Sequence, residues 1–88
     1  MAKFRIEVSA TAEKQIRKLN RTEQIRILRA IRELAEDPRP RGVRKLQGYN
    51  DVFRMRVASY RILYSVESRR LLILMLKIGH RKDVYRSR

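Results

Sequence analysis

Eighty-eight residues, 43% of them hydrophobic, form one domain over 1–88 with a single modest core. There is no cysteine, which excludes disulfides and thiolate metal sites, and no apolar signal region of secretory type. Twenty-three Lys and Arg against nine Asp and Glu give a formal charge of +14, which attracts polyanions, nucleic acid first and a membrane surface or an acidic protein second.

The chain opens on alternation. Phe4, Ile6 and Val8 point one way and Lys3, Arg5 and Glu7 the other, the period of a strand. Ser9 is placed to cap a helix running to about Leu19, with Ala12, Ile16 and Leu19 at helical spacing. Asn20 and Glu23 have the spacing of a capping box. The second helix runs to about Glu36. Its apolar stripe is Ile27, Ile31 and Leu34, widened by Leu28 and Ala35, and Arg26, Arg29, Arg32 and Glu33 fall on a solvated outer face. Asp37-Pro38-Arg39-Pro40-Arg41-Gly42 stops that helix and reads as an exposed basic linker. Val43 to Leu46 makes a short extended piece, and Gln47 to Asp51 a turn.

Residues 53–64 read as a hairpin. Phe53, Met55 and Val57 alternate with Arg54 and Arg56, and Tyr60, Ile62 and Tyr64 alternate with Arg61 and Leu63. With Ala58-Ser59 as a two-residue turn, Val57 faces Tyr60, Met55 faces Ile62 and Phe53 faces Tyr64. The same register sets Arg56 opposite Arg61. Like charges so placed cost up to about 1 kcal/mol, and an anion held between them would offset it. After a second turn at Glu67 to Arg70, Leu71 to Ile78 is apolar at nearly every position, as in a strand covered on both faces. The helices can cover one face; the other is left to the tail or to a partner. The run is far short of the roughly 20 residues that span a bilayer, so a soluble, cytoplasmic protein with no membrane role is expected. Gly79 ends the strand and His80 to Arg88 is a basic tail.

A single His, scattered carboxylates and three glycines give no metal cluster, nucleophile elbow or phosphate loop, so no cofactor is expected. What remains is a set of cations with one phenol: Arg54, Arg56, Arg61, Arg81 and Tyr85. Lys77, His80 and Lys82 add to the phosphate-binding positions, although Lys77 also reads as the polar break of a buried strand. Such a set suits metal-free RNA cleavage, in which a 2′-hydroxyl attacks the adjacent phosphate and fixed guanidiniums stabilise the growing charge. Arg does not give up its proton, so Tyr85, with neighbouring cations favouring its phenolate, is the candidate base. His80 has the better intrinsic pKa.

At Lys45-Leu46-Gln47-Gly48, Phe53-Arg54-Met55-Arg56, Ser59-Tyr60-Arg61-Ile62-Leu63-Tyr64 and Ile78-Gly79-His80-Arg81-Lys82-Asp83-Val84-Tyr85 the chain resembles the RelE/ParE toxin family of toxin–antitoxin systems. The last piece resembles the RelE branch, whose members cleave mRNA in the ribosomal A site; the ParE branch poisons DNA gyrase. The resemblance implies an α+β fold with a helical hairpin packed on one face of a largely antiparallel four-stranded sheet, in the order β-α-α-β-β-β. It implies that Arg61 and Arg81 stabilise the scissile phosphate and that Tyr85 acts on the 2′-hydroxyl or stacks on a base. Arg54 and Arg56 fall where well-studied members have lysines, a change that keeps phosphate binding and removes proton transfer. Ser59 falls where many members have Gly. Implied partners are a cognate antitoxin, with which a free monomer forms a hetero-oligomer, and mRNA on the ribosome with contacts to 16S rRNA. The expected function is therefore a ribosome-dependent mRNA endonuclease that inhibits translation. The rival readings are a gyrase-inhibiting toxin and a non-catalytic RNA-binding domain.

Overall fold

The computed structural model describes residues 3–49 and 51–80. Strand β1 (Arg5–Val8) leads into α1 (Ala10–Arg17) and α2 (Arg21–Leu34); β2 (Arg44–Lys45), β3 (Val52–Val57), β4 (Tyr60–Glu67) and β5 (Leu72–His80) follow. The helical hairpin packs on one face of a sheet in the order β1-β5-β4-β3-β2. Pairing is antiparallel except between β1 and β5, and the two helices carry the chain from β1 at one edge of the sheet to β2 at the other. The extended piece at 43–46 supplies the short fifth strand, β2.

Both helices start where the sequence indicates. Ser9 Oγ accepts from Ala12 N at 3.0 Å and Asn20 Oδ1 from Glu23 N at 2.9 Å. The return half of the Asn20–Glu23 capping box is not formed among the described residues. Glu23 Oε1 instead accepts the Tyr60 hydroxyl at 2.8 Å, which ties α2 to the sheet. That bond is the main reason the Tyr60 phenol is held above its ordinary pKa of 10.0.

The hairpin register is the expected one at every position: Phe53↔Tyr64, Met55↔Ile62, Arg56↔Arg61, Val57↔Tyr60. Ala58 takes the turn's positive φ, +54°, so the residue that glycine would relieve is Ala58 and not Ser59. One face of the hairpin enters the core, where Ile62 and Tyr64 are fully buried with Ile27, Leu34, Ile73 and Met75. Two residues expected inside lie nearer the surface. Val8 is 41% exposed because β1 is an edge strand, and Leu28, at 37%, sits on the flank of the α2 stripe.

The apolar run in β5 changes phase at one point. Tyr64 pairs with Met75 but Leu63 with Lys77, so Leu76 is an extra residue that shifts the alternation by one. Ile73, Met75 and Ile78 face the helices; Leu72, Leu74 and Lys77 follow the opposite phase. Beyond the end of β1, side chains of the first helical turns complete this strand's edge. Ser9 Oγ donates to Leu76 O at 2.9 Å, and Gln15 Oε1 accepts from Ile78 N.

The linker after α2 is anchored to the core. The buried Tyr64 hydroxyl donates to Pro38 O at 2.8 Å, and Arg39 lies 5.2 Å over the Phe53 ring. Burial pushes the Tyr64 phenol up to about 12, against a smaller downward pull from Arg39. The fold thus favours the neutral phenol. Its contribution is complete below pH 10 and declines as the pH rises from 10 to 12, at about 1.4 kcal/mol per pH unit. In denaturant titrations across that range, Tyr64→Phe is expected to flatten the loss of stability relative to wild type. An unchanged slope contradicts the assignment.

Candidate functional site

The sheet face turned away from the helices carries the cations. Cross-strand pairing puts Arg44 beside Arg54 and Arg56 beside Arg61, and alternation places all four on that face. Together with Gly42 they line a cleft of about 260 Å³. Gly42 has φ +92°, the left-handed turn by which the anchored linker enters β2.

The four arginines differ in burial. Arg44 and Arg56 are exposed, Arg54 is half-buried, and Arg61 is only 6% exposed. A guanidinium stays charged under all ordinary conditions, so Arg61 carries its charge into the protein. Among the described residues, neither Arg44 nor Arg56 takes part in an ion pair with a carboxylate. Such a wall of donors, one of them nearly dry, is suited to an anion with several oxygens, because guanidinium forks match phosphate geometry. Among the described residues no group of three or more His, Asp or Glu could hold a metal ion.

The expected site residues fall in three groups. Arg54, Arg56 and Arg61 converge. Lys77 pairs with Leu63 on the same face, half-buried and outside the cleft lining. His80 pairs with Tyr60 and meets its ring edge-on at 5.8 Å, which puts it on the helix side of the sheet, one residue out of phase with Arg61. Arg81, Lys82 and Tyr85 lie outside the described residues. Arg44 is the lining residue that the sequence reading missed. A two-residue strand has too little alternation to show which way its side chains point, and only its pairing with Arg54 reveals it.

A family model described as the ParE toxin of the type II toxin–antitoxin system parDE matches residues 6–85. No curated protein sequence matches. Among solved structures, a chain of the archaeal RelE–RelB complex from Pyrococcus horikoshii OT3 is 30% identical, with a TM-score of 0.81, covering 92% of this chain and 97% of that one. A mutant of the Escherichia coli toxin RelE in the free state is 28% identical, with a TM-score of 0.79 and coverages of 98% and 93%. A chain of the RelBE2 complex of Mycobacterium tuberculosis, 22% identical with a TM-score of 0.80 over 92% and 94% of the two chains, shares the fold.

The chain belongs to the RelE/ParE toxin family, as its motifs implied, and is a toxin of a toxin–antitoxin system.

If the cleft binds phosphates, its arginines set the salt dependence of nucleic-acid binding. Each single-strand phosphate contact contributes about 0.7 to the slope of log K against log salt. Arg44→Ala and Arg56→Ala are each expected to reduce the slope for single-stranded RNA by about that amount. Arg29→Ala, on the outer face of α2, is expected to leave it unchanged; equal effects from all three would reject the cleft as the binding site.

Proposed function

We propose that the protein is a ribosome-dependent mRNA endonuclease that cuts by 2′-hydroxyl attack and thereby inhibits translation. The observation that carries this reading is the convergence of Arg44, Arg54, Arg56 and Arg61 on one cleft of about 260 Å³. The 2′-oxygen bonds to phosphorus as its proton leaves, the phosphoryl oxygens gain charge, and the bond to the 5′-oxygen breaks as that oxygen takes up a proton from solvent, leaving a 2′,3′-cyclic end and a 5′-hydroxyl. Arg61, held nearly dry, and Arg81 stabilise the scissile phosphate. Fixed donors of this kind are each worth about 3 to 4 kcal/mol to a transition state. Arg44, Arg54 and Arg56 grip the flanking backbone. Tyr85 takes the 2′-proton or stacks on a base, and Lys82 adds to the phosphate-binding charge.

The partner is a cognate antitoxin, and the working compartment is the cytoplasm. Solved relatives crystallise as RelE–RelB and RelBE complexes, which supports a hetero-oligomer when the toxin is held inactive. Leu74, half-buried in the strand phase opposite to the core, gives an amphipathic antitoxin an apolar contact on the sheet face that carries the cleft. A second reading, inhibition of DNA gyrase, draws on the ParE description of the matching family model.

Induction of the protein followed by mapping of mRNA 5′ ends is expected to give cuts in phase with the reading frame. Arg81→Ala is expected to lower cleavage about 100-fold or more, and Arg56→Ala to lower it by less, while binding of the antitoxin persists. Intact mRNA together with altered plasmid supercoiling would overturn the nuclease and favour gyrase.

A further inference from the structure

The Leu46-Gln47-Gly48 motif and the residue that follows it have no part in the chemistry above. They form a tight turn at the sheet edge: Tyr49 N donates to Leu46 O at 3.3 Å, and Gly48 has φ +89°, the value demanded at the third position of a type II turn. The turn is tied back to β3 through Leu46 N, which donates to Val52 O at 2.8 Å. Its last residue, Tyr49, is 59% exposed, the most exposed large apolar side chain among the described residues. A ring held outward by a constrained turn contributes nothing to the core.

Its surroundings suggest a use. The arginine cleft shares Arg44 and Arg54 with a neighbouring depression also lined by Lys45 and Gln47. That depression shares Lys45 and Gln47 with a third, which Tyr49 lines. The three make a continuous track that begins at Arg61, passes round the β2 edge and ends at an aromatic ring. Lys45 and Arg44 are both exposed along it, and among the described residues no carboxylate lines any of the three depressions. A backbone of regularly spaced negative charges ending on a flat apolar ring is the recognition pattern for single-stranded nucleic acid.

We propose that Tyr49 is a base-stacking platform for a nucleotide of the RNA strand lying outside the scissile position, reached along the Arg44–Lys45 edge. This deepens the nuclease reading and rests on it for the identity of the strand. The edge supplies phosphate contacts, and the ring supplies affinity that tolerates any base, because every base has a π-face. Short RNAs confined to the arginine cleft do not reach the ring; longer ones do.

The test is fluorescence anisotropy of the full chain with labelled single-stranded RNAs of increasing length, for wild type, Tyr49→Ala and Tyr49→Phe. Tyr49→Ala is expected to weaken the longer RNAs about 10- to 100-fold, the range for loss of one stacked base, and to leave a dinucleotide unaffected. Tyr49→Phe is expected to restore binding. In wild type, an RNA abasic at the stacked position is expected to lose as much as the alanine variant does, with no further loss when the two are combined. The proposal is overturned if Tyr49→Ala binds long RNA as wild type does. It is equally overturned if that variant keeps RNA binding and loses the antitoxin, which would make Tyr49 a protein contact. The nuclease reading fails separately, on wild type that cuts no mRNA; the platform fails on the anisotropy comparison alone.

Discussion

Arg56 and Arg61 stand directly across from each other on adjacent strands, and the register that puts them there cannot slip. A shift of one residue would turn Ile62 and Tyr64 out of the core and the arginines into it. The hydrophobic effect, acting on one face of the hairpin, therefore fixes an electrostatically unfavourable arrangement on the other. Burying the Ile62 and Tyr64 side chains is worth about 1.5 to 3 kcal/mol each, against up to about 1 kcal/mol for the opposed charges. The core wins, and the fold holds its guanidiniums together before any ligand arrives. Such preorganisation lets charge stabilisation act without a reorganisation cost at the moment of reaction.

The remaining elements extend this arrangement. Tyr64 secures the linker by its bond to Pro38 O, the linker delivers β2 to the edge of β3, and β2 adds Arg44 to the cleft. On the helix side, Glu23 binds Tyr60 at the start of β4, and the side chains of Ser9 and Gln15 complete the edge of β5. Removal of buried side chains on the helix face should therefore be felt in the geometry of the opposite face, through strands only one residue thick.

The hairpin register was legible because period-two alternation ran unbroken on both arms and two residues separated them. The N-caps were legible because Ser9 and Asn20 immediately precede helical periodicity. The family resemblance followed from motifs spread over nearly the whole chain. Other features were hidden for physical reasons. Leu72 and Leu74 make the opposite face of β5 apolar as well, and the bulge at Leu76 shifts the phase after Met75, so the strand's two faces could not be separated by pattern. Glu23 had a local partner at capping-box spacing and a distant one in Tyr60, and the distant one prevailed. His80 looked like a member of the cation set, but its strand position puts it in the phase of Tyr60. Arg44 belonged to a strand of two residues, too short for any periodicity to place it.

The central claim is that the four cleft arginines, acting as a group, hold a phosphodiester backbone. The most direct measurement is the NMR response of arginine side-chain Nε–Hε signals to a non-cleavable 2′-deoxy oligonucleotide. The account predicts that the signals of Arg44, Arg54, Arg56 and Arg61 shift and saturate together, while those of Arg26, Arg29 and Arg32 on the outer helix do not move. Shifts spread evenly over both faces, or concentrated on the helix, would contradict it.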